Sequence, residues 1–404
     1  MVSHSVIVWT VLAWTLASIW IAVIFAFVGA WRRRPLLRPH APGPDSADLP
    51  RLSVIVAARD EAGCIETCIR SLFRQDYPDL EVVAVNDRSS DETPAILDRL
   101  ASDFPGRLRV IHVSELPAGW FGKPHALDRG LQTAAGSAIC FTDADCEFLS
   151  PLALRTTVNE MHRRDLDFFS IAARYSLTSL RECVAVPCCC ESLMSWFRPE
   201  RVSDPRRPEA FANGAFILVR RGPFERIGGW EAVRSKISED LELARHAKRL
   251  GLKLGLAEGQ GFYRTDSYRT VRESWNGWSR IFKGALTPLQ LSITLCRSLV
   301  LSILPLIAVT WGLCNLLATG DAWLMHGAGP GFLVALSLRC LLDLVVFRLV
   351  GAPVAAAILA PLGRIFMLAA VTRALLSHAG LVHTHWRGAT FSSGQMVMPQ
   401  PAKA

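Results

Sequence analysis

Asp143 and Asp145 stand one residue apart at the end of the apolar run from Ala138 to Thr142, and no other residues in the chain are better placed to do chemistry. Hard divalent cations prefer oxygen ligands, so such a pair can bind Mg or Mn and share the ribose and diphosphate of a sugar nucleotide. Spacing alone is a weak signal, since Asp165 and Asp167 repeat it without a comparable setting. Position in the chain distinguishes the first pair: it follows the fourth of four apolar runs that alternate with helix-like stretches.

Those runs are Ser53 to Ala58, Leu80 to Asn86, Leu108 to Val113 and Ala138 to Thr142. Between them, Glu61 to Phe73, Ser90 to Ala101 and Lys123 to Ala134 have helical spacing. The alternation predicts an α/β fold, a doubly wound and mostly parallel sheet with helices on both faces. Ligands of such sheets collect beyond the carboxyl ends of the strands. Arg59-Asp60-Glu61, the stretch Asn86 to Asp91, and Asp143-Ala144-Asp145 should therefore share one rim. Asp87 and Asp91 could instead cap the next helix. Taken together, acidic loops on one rim repel unless a cation or hydrogen-bond donors relieve them. The chain lacks both G-x-x-x-x-G-K-[ST] and a G-x-G-x-x-G after its first strand, which weighs against kinase-like and dinucleotide-binding readings.

The 404 residues are 50 % hydrophobic, with the excess at the ends and the charge in the middle. Val6 to Ala30 is uncharged and long enough to cross a bilayer. Arg32-Arg33-Arg34 behind it should stay in the cytoplasm, placing the central domain there, at the inner membrane. Ser298 to Ala318 reads as a second span and Gly331 to Val350 as a weaker one, interrupted by Arg339, Asp343 and Arg348. The expected remedy is an internal pair of Asp343 with Arg339 or Arg348. Ala355 to Leu376 suits a third C-terminal span or an interface helix. The expected organisation is an anchor (1–31), a basic, proline-rich linker (32–50), a cytoplasmic α/β domain (51–286), membrane helices (287–382) and a tail (383–404). Part of the net charge of +8 lies at Arg32 to Arg38 and Arg198 to Arg207, where an anionic leaflet explains it better than nucleic acid. Eleven cysteines without a double Cys-x-x-Cys arrangement fit reduced thiols in the cytoplasm, and Cys188-Cys189-Cys190 fits a buried helix. Val184 to Phe197, apolar with Pro187 and Trp196, is expected to rest on the membrane.

From Leu52 to Leu286 the ordered motifs resemble the inverting glycosyltransferases of family 2, membrane-bound branch, whose fold is the nucleotide-diphospho-sugar transferase fold called GT-A. The resemblance implies that Asp87, in Asn-Asp-Arg-Ser-Ser-Asp, binds the base with Ala58 and Glu61 nearby. It implies that Asp143 holds ribose and, with Asp145, a metal-bound diphosphate, and that Lys123 in Gly119-Trp120-Phe121-Gly122-Lys123-Pro124 lies by the nucleotide. Ser238-Glu239-Asp240 matches the family's Ser/Thr-Glu-Asp motif, which makes Asp240 the general base. Ser238 could equally cap the helix that follows. Asn213, Gly214, Glu239 and Gly228-Gly229-Trp230 resemble acceptor-side elements. Where processive synthases carry Gln-x-x-Arg-Trp, this chain reads Arg272 to Arg280. That stretch more closely resembles non-processive lipid glycosyltransferases; Trp278 would offer an aromatic face to sugar or lipid and Arg280 a cation to the diphosphate, unless Trp275 and Trp278 are interface anchors. The Gly-Trp-Phe-Gly-Lys loop with Ser203-Asp204-Pro205-Arg206-Arg207 also resembles hopanoid-biosynthesis-associated glycosyltransferases. The implied activity is metal-dependent transfer of a sugar, from a UDP-sugar, to a lipid or polyisoprenoid hydroxyl. The competing readings are a processive polysaccharide synthase, a catalytically silent nucleotide-sugar-binding scaffold, and a nucleotidyltransferase of related fold.

Overall fold

The structure, a computed structural model, describes residues 4–38, 49–172, 174–259, 261–266, 268, 270–320, 323, 327–382, 384–386, 389–392 and 395–397. Most of the expected linker and part of the expected tail, including His383 and Arg387, lie outside them. The chain divides into two compact units, one of residues 34–176, 197–267 and 394–404, the other of residues 1–33, 177–196 and 268–393.

In chain order the elements are α1 (His4–Arg33), β1 (Leu36–Leu37), β2 (Leu52–Ala58), α2 (Ile65–Phe73), β3 (Leu80–Asp87), α3 (Thr93–Asp103), β4 (Leu108–Val113), α4 (Gly122–Thr133), β5 (Ala138–Asp143), β6 (Cys146–Phe148), α5 (Ala153–Arg163), β7 (Phe168–Ala172) and β8 (Arg174–Ser176). There follow α6 (Leu180–Trp196), α7 (Pro199–Val202), β9 (Phe216–Arg220), α8 (Arg221–Arg226), α9 (Glu239–Arg249), β10 (Leu254–Gly259), β11 (Tyr263–Asp266), α10 (Val271–Ala285), α11 (Pro288–Ser298), α12 (Leu304–Thr319), α13 (Gly329–Val350) and α14 (Ala360–His378).

The α/β unit is built on a sheet ordered β1-β10-β7-β9-β5-β2-β3-β4. Every pairing in it is parallel except those of β9, which runs antiparallel to β5 and β7. Successive strand residues point to opposite faces, and the core divides accordingly. Val54, Val56, Val82 and Ala84 pack with Ile69 and Leu72 of α2 and Leu97 of α3. Ile55, Val83, Ile139 and Phe141 pack with Leu127 and Leu131 of α4 and Leu243 of α9. Trp230 sits in this second layer, 1 % exposed, its ring edge-on to Phe141 at 5.0 Å. The Gly228-Gly229 turn before it has positive φ at both residues (84° and 52°), which glycine adopts without strain. Trp230→Ala is expected to cost about 3–5 kcal/mol, read from a denaturant midpoint, and a cost under about 1 kcal/mol would contradict this packing.

The first seven expected elements all form. Helices α2 and α3 start at Ile65 and Thr93, later than their apolar spacing suggested, because residues 60–62 and 89–93 bond to one another across two loops.

In the helical unit, three described stretches are long and apolar enough to cross a membrane: Val6–Arg33, Pro288–Thr319 and Val354–His378. The last includes the segment from Ala355 that sequence left between a span and an interface helix. Helix α13 packs against α1 through Phe332 and Ala335 beside Ala13, Leu16 and Trp20. Its two buried charges, Arg339 and Asp343, are met inside the unit. Arg339 donates two hydrogen bonds of 2.5 Å to Glu191 of α6, and Asp343 receives both Arg339 and Arg364. The expected pairing with Arg339 is present. Arg348 lies five residues from Asp343 and falls on another side of the helix, so Arg364 of α14 supplies the second cation.

Two segments that sequence assigned to the α/β domain, 177–196 and 268–286, belong instead to the helical unit. Val184, Val186, Cys188 and Cys189 of α6 are buried there, so this stretch is part of a helix core and not a surface resting on lipid. Gly363 makes the packing possible, because a side chain at that point of α14 would strike the Val184 carbonyl. Helix α10 buries Trp278, Phe282 and Ala285, and Lys283 Nζ donates to Ser377 Oγ of α14 at 2.8 Å.

Candidate active site

The rim above the carboxyl ends of β2, β3 and β5 is assembled by loop-to-loop hydrogen bonds. Asp60 Oδ1 accepts from the Ser90 amide at 2.7 Å, and the Asp60 amide donates to Ser89 Oγ at 3.0 Å. Asp91 accepts from the amides of Ala62 and Thr93, both at 3.0 Å. Asp60 and Arg88 both adopt left-handed backbone, each with φ of 57°. Aspartate tolerates that region well and arginine poorly, so Arg88 carries the more local strain. The turn folds Arg88 back onto its neighbour, with Nε donating to Asp87 Oδ1 at 2.8 Å. Asp87 is 3 % exposed, and Gly122 at the start of α4 lies so close that a side chain there would overlap its carboxylate.

Asp143 ends β5, and Asp145 follows just before β6. Thr265 of β11 hydrogen-bonds the Asp145 carboxylate. Burial first, and then the Asp143 and Glu61 charges, push Asp145 up from 3.8 to about 7. Glu61 accepts from Cys64 Sγ at 3.2 Å, and burial followed by the Glu61 charge raises that thiol well above its ordinary value. Ala58 is the last residue of β2, its side chain turned into the core, so only its backbone reaches the rim.

Antiparallel β9 explains how residues from the second half of the chain reach this rim. Since β9 runs opposite to β5, with Phe216 beside Thr142, the loop that precedes β9 lies where β5 ends. That loop is Asn213-Gly214-Ala215. Asn213 is fixed by Nδ2 donation to Tyr263 Oη at 3.2 Å and to the Ile171 carbonyl at 3.3 Å. The Gly214 amide donates to Asp240 Oδ2 at 3.0 Å, while Asp240 Oδ1 accepts from the Leu241 amide at 2.7 Å. A Cβ at Gly214 would stand 3.0 Å from Asp240 Oδ2 and 3.1 Å from Lys123 Nζ, so glycine is what lets the loop approach. Ser238 makes no capping bond from its side chain to α9; Asp240 bonds a first-turn amide instead.

Lys123, in the first turn of α4, joins the two halves. Its Nζ lies 2.6 Å from Asp143 Oδ1 and 3.2 Å from Glu239 Oε1. Burial opposes the ammonium charge, but the Asp143, Glu239 and Asp240 carboxylates outweigh it and hold Lys123 above its ordinary value. Asp143, Lys123, Gly214, Glu239 and Asp240 thus form one cluster within the α/β unit, with Asp145, Glu61 and Asp87 on the same rim. Trp278 and Arg280 belong to α10 of the helical unit. Trp278 is 1 % exposed and packs on Phe282 at 5.9 Å, so its ring presents no open face.

Among the described residues, no three His, Cys, Asp or Glu side chains converge closely enough to hold a metal by themselves. Asp143 and Asp145 nevertheless fit a cation such as Mg or Mn, which takes one or two protein carboxylates and completes its shell with phosphate oxygens and water. The raised Asp145 supports this, since its charge lacks a full counterpart in the protein itself.

A cation held by Asp145 would need that carboxylate ionised, so its affinity would follow the titration of Asp145. Mn affinity of the wild type is expected to be about tenfold weaker at pH 6 than at pH 8, with proton release on binding at the lower pH. Titration of Mn at the two pH values checks this, and equal affinities would contradict it.

The rim gathers carboxylates from the ends of β2, β3 and β5 and from the start of α9 around one lysine. Residues 53–228 match the family described as glycosyl transferase family 2. The beta-monoglucosyldiacylglycerol synthase of Trichormus variabilis is 32 % identical over 199 residues, which cover 48 % of this chain and 40 % of that protein. The 4,4'-diaponeurosporenoate glycosyltransferase of Staphylococcus aureus is 25 % identical over 275 residues, 65 % of this chain and 68 % of that one. The chain thus spans about 40 % of the length of the first of these curated relatives. A mannosyltransferase from Pyrobaculum calidifontis, solved in complex with GDP-Man and Mn2+, superposes with a TM-score of 0.49 at 22 % identity, covering 90 % of this chain and 99 % of that one. Residues 53–228 thus resemble a family 2 glycosyltransferase domain, and the mostly parallel sheet around them has the GT-A fold.

Sequence reasoning missed Arg88 as the partner of Asp87, Asp60 as the link between two loops, and Thr265 on Asp145. Arg88 stands inside the recognised Asn-Asp-Arg-Ser-Ser-Asp motif and could have been found there. Thr265 lies 120 residues from Asp145, and nothing in its neighbourhood marks it.

Proposed function

We propose that this chain is a membrane-anchored, metal-dependent inverting glycosyltransferase that moves one sugar from a nucleotide sugar, a UDP-sugar, to a lipid hydroxyl. The observation that carries the proposal is the convergence of donor-side Asp143 and acceptor-side Glu239 on Lys123, with Asp240 held on Gly214 beside it. A base on the acceptor side is what inversion needs.

In this reading Asp87 binds the base, Asp143 the ribose, and Lys123 the diphosphate. Asp143 and Asp145 would hold the divalent cation, which when bound supplies charge stabilisation to the departing diphosphate. Asp240 takes the proton from the acceptor hydroxyl. That oxygen bonds to the anomeric carbon as the bond to the diphosphate breaks, and the nucleoside diphosphate leaves. The amides of Gly214 and Leu241 occupy two of the four lone-pair positions of the Asp240 carboxylate and fix its orientation.

A lipid acceptor is supported by the three candidate spans and by relatives named for monoglucosyldiacylglycerol and diaponeurosporenoate. Arg32, Arg33 and Arg34 after the first span favour a cytoplasmic catalytic domain at the inner membrane. The test is nucleoside diphosphate release by the full chain from a panel of UDP- and GDP-sugars, with Mn, in the presence and absence of membrane lipid extract. Lipid-dependent release from a UDP-sugar is the expected result. Metal-dependent nucleotide binding without release from any donor would overturn it in favour of a silent binding protein.

A further inference from the structure

We propose that Lys123 is the resident counter-cation of the carboxylate cluster, displaced when a nucleoside diphosphate and a divalent cation enter together, so that cation entry is coupled to donor entry. The inference rests on the donor reading above and adds an order of binding to it.

The ammonium occupies the place a cation would take on Asp143: Nζ is 2.6 Å from Oδ1, with Glu239 Oε1 a second anchor at 3.2 Å. Gly214 leaves this space open, since a Cβ there would stand 3.1 Å from Nζ. Two like charges drawn to the same carboxylate oxygen repel strongly in a partly buried site. A divalent cation alone must therefore compete with Lys123 for Asp143. When a diphosphate arrives, it brings enough negative charge to satisfy both. Lysine suits this role because its point charge rides on a flexible four-carbon stem and can move from carboxylate to phosphate. A guanidinium with a fixed fork would leave less readily.

The test measures Mn binding to the full chain in detergent micelles, from the electron paramagnetic resonance signal of free Mn, with and without UDP or GDP. Without nucleotide, Lys123→Met is expected to bind Mn about tenfold more tightly than wild type, and Lys123→Arg no more tightly. With UDP present the order reverses, because the methionine variant has lost a cation from the diphosphate. Lys123→Gln keeps a polar contact to Asp143 and gives the same reading if the methionine variant does not fold. Equal or weaker nucleotide-free Mn binding by the folded neutral variants would overturn the proposal. If neither UDP nor GDP binds the wild type, the donor reading fails, and the nucleotide-free comparison still decides whether Lys123 is the competing cation.

Discussion

Asp240→Asn is expected to lower turnover by about 10²–10⁴-fold, the usual contribution of a positioned general base, with little change in donor KM. Asparagine removes the basic oxygen and keeps one acceptor, so it can hold the Gly214 amide but turns its NH2 toward the Leu241 amide and loses that second bond. Initial rates with saturating donor and acceptor, together with donor KM, provide the check. A loss confined to donor KM would move Asp240 from base to donor-binding residue. Activity within about threefold of wild type would remove it from the chemistry altogether.

Asp145→Asn should produce two effects of opposite sign. Loss of a hard oxygen ligand is expected to weaken Mn affinity by at least about 10–100-fold, a range that even changes behind the ligands reach, and activity should fall with it. The metal-free protein should become more stable above neutral pH. A carboxyl held near 7 in the fold, against 3.8 ordinarily, stabilises the fold least once it is ionised. Its contribution falls as pH rises between those values, and asparagine removes that dependence. Thermal unfolding of metal-free wild type and variant at pH 5 and pH 8 reads the second effect. A variant less stable than wild type at pH 8 would show that Asp145 has a structural partner the fold requires. Such gains in stability with loss of function are expected where a site concentrates like charges.

The strands were legible because four apolar runs bounded by polar turns allow little else, and the rim followed from the rule that parallel sheets bind ligands at their carboxyl ends. Asp143, Asp145 and Asp87 were found that way, each at a strand end. Lys123, Glu239 and Asp240 were visible only through resemblance; the bond of Asp240 to Gly214 depends on the reversal of β9, which local pattern does not reveal. The placement of α6 was illegible for a different reason. Val184 to Phe197 reads as an apolar surface suited to lipid, and only the fold brings Glu191 to Arg339, 148 residues away. Trp230 illustrates the opposite error: a motif that suggested acceptor contact proved to be a core side chain held against Phe141.

The configuration of the new glycosidic bond tests the central claim most directly. Proton NMR of the purified glycolipid, made from an α-linked nucleotide sugar, should give the large anomeric coupling of a β-linked gluco- or galacto-type product, the result of one displacement with Asp240 as base. An α-linked product from the same donor would mean retention, and would contradict both the role of Asp240 and the inverting mechanism.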